Sequence, residues 1–258
     1  MRIPNIKYAH GRFKGAPWYK SLQSSKIFIG GAGGIGSHLC FQLARTGAHI
    51  TIVDHDEVGI ENLAGQLYGE SQIGYPKVQA IKEVCKNLCD KPSIFAINQE
   101  VTAESITTVN LDQADVVCVG FDNLEARRMV YDYWRASGKD SSLFVDGRLG
   151  FESGQVFIVE KTADPSVHLA YQDTYFSLEE RVELPCSAKA TTHCGSLIAS
   201  MMVMNITNWF SNQDKPVFRR EVKNIEFHLP ITLFLTTEFV VENKQVYSEE
   251  HDYSILTS

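Results

Sequence analysis

Three groups of residues in this chain have the types and spacing for chemistry on a phosphorylated nucleotide. Gly31, Gly33, Gly34 and Gly36 spell G-x-G-G-x-G directly after the apolar run KIFIG. Glycines at such a turn let backbone approach a phosphate, and the following helix offers amide donors and the positive end of its dipole. Asp54 closes the next apolar run, HITIVD, where a carboxylate can accept hydrogen bonds from ribose hydroxyls. Further on, Asn62 and Gln66 can orient ribose and phosphate. Lys77, after IGYP at the start of a helical pattern, can reach outer phosphates as a point charge. Asp122, in GFDN at the end of the run ADVVCVGFD, suits Mg²⁺, which is held by one or two carboxylates together with phosphate oxygens. A dinucleotide oxidoreductase has no use for the Asn, Gln and Lys, so the set favours ATP over NAD(P).

A fourth candidate is a thiol. Cys186 follows a proline in ELPCSAKATTHCGSLIASMMV, a polar stretch that leads into an apolar helix. Lys189 and His193 are close in sequence, and a nearby cation favours the thiolate. The alternative is an ordinary exposed loop thiol. Cys194 and His193, at the helix start, read as packing and surface residues. Cys40, Cys85 and Cys118 fall in apolar strand or helix patterns and read as buried thiols. The six cysteines include no C-x-x-C pair, which argues against a thiolate zinc site.

These residues need a scaffold of strands ending at one edge, and the pattern supplies it. Strands are expected at KIFIG, HITIVD, SIFAINQEV and ADVVCVGFD, continuous apolar runs of the kind parallel sheets bury on both faces. Helices are expected between them: one with Ile35, Leu39 and Leu43 ended by Gly47, one from Lys77 with Val78, Ile81 and Leu88 on one face, and NLEARRMVYDYWRASG. In the last, Tyr131 and Trp134 read as core or interface. SLFVDGRLG and GQVFIVE add two strands. The alternation predicts an α/β, doubly wound, Rossmann-like sheet, mostly parallel, with helices on both faces. Residues 164–190 read as irregular, CGSLIASMMVMNITNWF as a helix, the last fifty residues as a β-rich elaboration, and EEHDY as a solvated tail. The organisation expected is one unit over 1–258, with a nucleotide-binding core over 1–163 and the elaboration over 164–258.

Composition narrows the class. With 44% hydrophobic and 21% charged residues and a net charge of −7, the chain is globular, and its acidic balance opposes nucleic-acid binding. The N-terminus lacks a charged-then-apolar signal, and the apolar window 197–206 is far shorter than the ~20 residues of a membrane helix. A cytoplasmic protein without a membrane partner is expected.

In this order and spacing, GxGGxGS, VDxDxV, ENLxxQ, IGxxK and DN followed by AR resemble the ThiF/MoeB/ubiquitin-activating superfamily of adenylating enzymes. The resemblance covers roughly residues 17–150. It implies ATP-dependent adenylation of the C-terminal carboxylate of a small ubiquitin-like or sulfur-carrier protein, in a homodimer. It implies ribose on Asp54, phosphates on Lys77 and Mg²⁺ on Asp122, with Asp56, Asn62, Gln66 and Asn123 completing the nucleotide site. The stretch around Cys186 resembles the crossover loop of single-domain activating enzymes, which implies a thioester at that cysteine. Two features depart from the family. Gly65 stands where the family carries an arginine that stabilises the departing pyrophosphate, and the N-terminal RYxRQ segment is not recognisable. Arg2, Arg12, Lys14, Arg127 and Arg128 are the candidate substitutes. A catalytically inactive dimerising member of the fold is therefore an alternative reading, and an NAD(P)-dependent oxidoreductase a second.

Overall fold

The computed structural model describes residues 11, 13–150, 153–179, 191–214, 224–228, 233–242 and 245–252. Its elements run α1 (Tyr19–Ser24), β1 (Lys26–Gly30), α2 (Gly34–Ala44), β2 (His49–Asp54), α3 (Lys77–Leu88), β3 (Ser93–Asn98), β4 (Val116–Val119), α4 (Leu124–Ser137), β5 (Leu143–Gly150), β6 (Ser153–Glu160), α5 (Pro165–Glu179), α6 (Thr192–Asp214), β7 (Asn224–His228), β8 (Leu233–Glu242) and β9 (Gln245–Asp252). The strands form one nine-stranded sheet in the order β3-β2-β1-β4-β5-β6-β7-β8-β9. The pairings among β3, β2, β1, β4 and β5 are parallel, as the continuous apolar runs predict. From β5 outward the sheet is antiparallel, and this is the β-rich C-terminal elaboration.

The central strands bury both faces because their side chains alternate. Ile27, Ile29, Val116, Cys118, Leu143 and Val145 enter one core with Leu39 and Leu43 of α2, Ile81 of α3, and Ile198, Met202 and Ile206 of α6. Phe28, Val117, Val119 and Phe144 enter the other, with Val130, Tyr131 and Trp134 of α4 and Tyr171 and Tyr175 of α5. Period two in the strands thus serves two helical layers. Gly47 takes φ +88° just beyond α2, the left-handed conformation a helix stop asks of glycine. Cys40, Cys85 and Cys118 are buried as expected.

Two expectations are corrected. Residues 165–179, read as irregular, form α5. The Asp164 carboxylate accepts from the Ser166 amide at 2.9 Å ahead of that helix, and its inward stripe is Tyr171 and Tyr175, polar-tipped residues that hide a helical period from a search for aliphatics. The acidic run near the C-terminus, read as a tail, lies mostly in β9, where Glu249 and Glu250 pair with Glu238 and Thr237. A backbone ladder asks nothing of side-chain polarity, and β9 ends the sheet order, an edge position where charge is common. Among the described residues, no helix is long and apolar enough to cross a membrane.

Trp134 is fully buried, 5.2 Å between ring centroids from Phe144 and 5.7 Å from Tyr131, and its indole N–H donates to Ser142 at 2.9 Å. Trp134→Ala should cost about 3–5 kcal/mol, read by urea denaturation. A loss below about 0.5 kcal/mol, the size of an ordinary surface effect, would contradict this core assignment.

Candidate active site at the sheet switch point

The strand order reverses direction between β1 and β4, which places a crevice outside their carboxyl ends. The glycine turn leaves β1 into this crevice. Gly31 has φ +94°, and its amide donates to the Val53 carbonyl at 2.9 Å. A Cβ at Gly36 would stand 1.9 Å from the Gly31 carbonyl oxygen, so the turn closes only on glycine there. Gly33 and Gly34 are half-exposed, and a Cβ at Gly33 would meet nothing within 4 Å. That open space beside the start of α2 is where a phosphate has room.

Asp54, at the end of β2, is tied to the turn. One carboxylate oxygen accepts from the Ala32 amide at 2.6 Å, and the other from the Asp56 amide at 2.8 Å. Burial raises the affinity of Asp54 for a proton, opposed by these two amides and by Lys77. Each carboxylate oxygen can accept more than one hydrogen bond, so capacity remains for ribose hydroxyls. Lys77 opens α3 and is buried, with its ammonium 2.7 Å from Asp56. One of its three donors is thereby used. Asp54, His55 and Asp56 bring three ligand-type atoms within 4.8 Å of one another; Asp54 is held by the two amides and Asp56 by Lys77, with His55 3.5 Å from Asp56.

The other predicted residues divide. Asn62 accepts from the Gly59 amide at 2.8 Å and so shapes its own loop. Gln66 is half-buried, and its side-chain oxygen is buried with no partner among the described residues. An orphaned acceptor at this place fits a ligand that donates, as ribose and adenine do. Asp122 is exposed and its carboxylate has no partner among the described residues, whereas Asn123 caps α4, accepting from the Glu125 amide at 2.8 Å. The loop carrying Asp122 lies on the glycine turn: the Gly120 amide donates to the Gly30 carbonyl at 2.9 Å, and a Cβ at Gly31 would be 3.2 Å from Gly120 and from the Phe121 amide nitrogen. The candidate nucleotide residues and the candidate metal ligand therefore share one edge. Cys186 lies outside the described residues, as do Lys189, Arg2 and Arg12.

Gly65 is buried, and the neighbouring Ala64 carbonyl accepts from the Thr192 hydroxyl at the start of α6. Of the candidate replacement arginines, Arg127 is buried on Asp146, Gly147 and Phe121. Arg128 is exposed, 3.9 Å from Asp132. Cys194 is fully buried in the core and His193 is exposed. Three contacts tie motif residues to partners that the motifs do not name. Tyr68 donates its hydroxyl to the Ala32 carbonyl at 2.5 Å, the Leu67 amide donates to Ser37 at 3.1 Å, and Asp146 gathers Arg127 and Arg148.

Comparison with known proteins places this arrangement. The chain is 32% identical over 149 residues to SUMO-activating enzyme subunit 2 of Dictyostelium discoideum, covering 57% of this chain and 22% of that protein. It is 32% identical over 113 residues to the adenylyltransferase and sulfurtransferase MOCS3 of Culex quinquefasciatus, covering 43% of this chain and 26% of that protein. The chain thus spans about a quarter of the length of these curated relatives. Among solved structures, that of E. coli MccB with ATP shares the fold, with a TM-score of 0.65 at 16% identity over 93% of this chain and 68% of that one. The ThiF family model matches residues 7–239, from before the glycine turn into β8, and the chain belongs to the ThiF family.

Proposed function

We propose that this protein is an ATP-dependent adenylyltransferase acting on the C-terminal carboxylate of a small ubiquitin-like or sulfur-carrier protein. The observation that carries the reading is the packing of the Asp122 loop on the glycine turn, with Lys77 paired to Asp56 just beyond the neighbouring strand. The named relatives, an activating-enzyme subunit and an adenylyltransferase, support the same class. Gly33, Gly34 and the amides opening α2 receive phosphate, Asp54 and Gln66 receive the nucleoside, and Lys77 faces the outer phosphates. Asp122 would hold Mg²⁺, which when bound would neutralise the charge that builds on the phosphates.

An oxygen of the partner's carboxylate attacks the α-phosphorus. The bond from that phosphorus to the bridging oxygen breaks, and pyrophosphate leaves. The chain's own contribution is positioning and charge. A second step follows the resemblance at Cys186: its thiolate attacks the acyl carbonyl, a thioester forms and AMP departs. We further take the chain as one adenylation unit that works as a homodimer. Gly65 at the arginine position favours a second reading, an inactive member that dimerises with an active partner.

Thermal unfolding separates these readings. Mg·ATP at about 100 times its dissociation constant should stabilise the fold by about 2.7 kcal/mol, while NAD(H) should do nothing. Stabilisation by NAD(H) alone would overturn the adenylation reading. Asp122→Ala should lower carboxylate-dependent ATP–pyrophosphate exchange by about a hundredfold or more, the scale of a transition-state charge stabiliser, with the fold retained. Exchange at the parent rate would remove Asp122 from metal binding. Cys186→Ala should leave exchange intact and abolish the thiol-labile conjugate with the partner on gels. A conjugate that persists would move the thioester elsewhere.

A further inference from the structure

We propose that Arg127 is a positioning residue for the metal-binding carboxylate: its guanidinium, anchored on Asp146, holds the Phe121 carbonyl and thereby sets Asp122 over the glycine turn. The inference rests on the adenylation reading and deepens it.

Asp122 is exposed and has no partner of its own among the described residues, so its backbone must supply its placement. Arg127 acts on that backbone. It is 5% exposed and donates to three oxygens: Asp146 Oδ1, the Gly147 carbonyl at 2.9 Å and the carbonyl of Phe121. The first two belong to β5, inside the sheet, and the third belongs to the residue immediately before Asp122. On the other side of Asp122, Asn123 is fixed as the cap of α4. The Arg127 amide donates to the Asn123 carbonyl at 3.2 Å, closing the same turn. The carboxylate therefore stands between two fixed neighbours, and the loop rests on Gly31.

The anchor is built for this load. Asp146 is fully buried; its second oxygen accepts from Arg148 Nε at 2.6 Å and from the Tyr171 hydroxyl at 3.0 Å. Two arginines on one buried carboxylate leave an excess positive charge. The Arg148 guanidinium lies 4.4 Å from the Phe157 ring centroid and 5.2 Å from that of Tyr175, faces that favour a cation. Its other donors go to Thr174 of α5. Arg148 thus completes the anchor without touching the loop. Of the two arginines, Arg127 is the one that joins anchor to loop, so they can be told apart by experiment.

A lysine at 127 keeps the charge facing Asp146 but lacks the fork that spans Asp146 and Phe121. The test titrates Mn²⁺, followed by electron paramagnetic resonance, into the protein with a non-hydrolysable ATP analogue. Partners one step beyond a metal ligand typically contribute about 10–100-fold to metal affinity. Arg127→Lys should raise half-saturating Mn²⁺ by about tenfold, with analogue binding in chelator unchanged. Arg148→Lys, which alters the far side of Asp146 but leaves Arg127's own bonds to Asp146, Gly147 and Phe121 in place, should leave Mn²⁺ affinity within about twofold of the parent, outside that range. Equal shifts in both variants would mean general loosening of the core and would overturn the positioning role. A folded Arg127→Lys with parental Mn²⁺ affinity would overturn it too. If the parent binds no Mn²⁺ with the analogue, the adenylation reading itself falls. Should Arg127→Lys not fold, hydrogen exchange on the parent decides. Amides 125–127, which donate to Asn123, should exchange slowly without nucleotide, and fast exchange there would refute a preset loop.

Discussion

One hydrogen bond organises the site: the Ala32 amide donating to Asp54 at 2.6 Å. It joins the turn after β1 to the end of β2, so the glycine loop cannot move independently of the neighbouring strand. The same carboxylate holds the Asp56 amide, and Asp56 holds Lys77 at the start of α3. Three segments distant in sequence are thereby linked through two carboxylates. Burial makes a carboxylate such as Asp54 costly unless its oxygens are used. Two backbone amides use them, while the exposed Asp56 is held by the Lys77 ammonium, so turn, strand end and helix start are tied together without a ligand.

The sheet does the rest of the placement. Parallel register sets Val119 beside Asp146, so the loop leaving β4 comes directly over the buried anchor on β5. The same register brings Gly30 beside Val119. Turn, loop and anchor are therefore three consequences of one strand alignment. Slipping β4 by one residue would turn its four buried side chains to the opposite faces and break all three.

Much of this was legible in the sequence. Continuous apolar strands, the glycine spacing and the ordered motifs gave the fold, because burial on two faces and close backbone approach both leave strong residue signatures. What stayed hidden depends on distant partners. Asn123 reads as a nucleotide residue within a motif, yet its side chain caps α4, a local role its position just before a helix also permits. Arg127 reads as a candidate for the arginine missing at Gly65, near the sheet's active edge. Its burial follows from Asp146, nineteen residues along, and nothing in either segment announces the pairing. α5 leaves no aliphatic signature because its buried stripe is built from tyrosines that share hydroxyl contacts, 2.6 Å apart at Tyr171 and Tyr175.

The start of α6 has a further consequence. A Cβ at Gly195 would lie 2.6 Å from the Gly34 carbonyl oxygen, so the two backbones touch with no side chain between them. Any residue but glycine at 195 pushes directly on the turn that opens α2. The late part of the chain therefore cannot drift in sequence freely of the early part. A chimera that exchanged everything after α5 would inherit a working turn only if the donor also brought a glycine to this crossing.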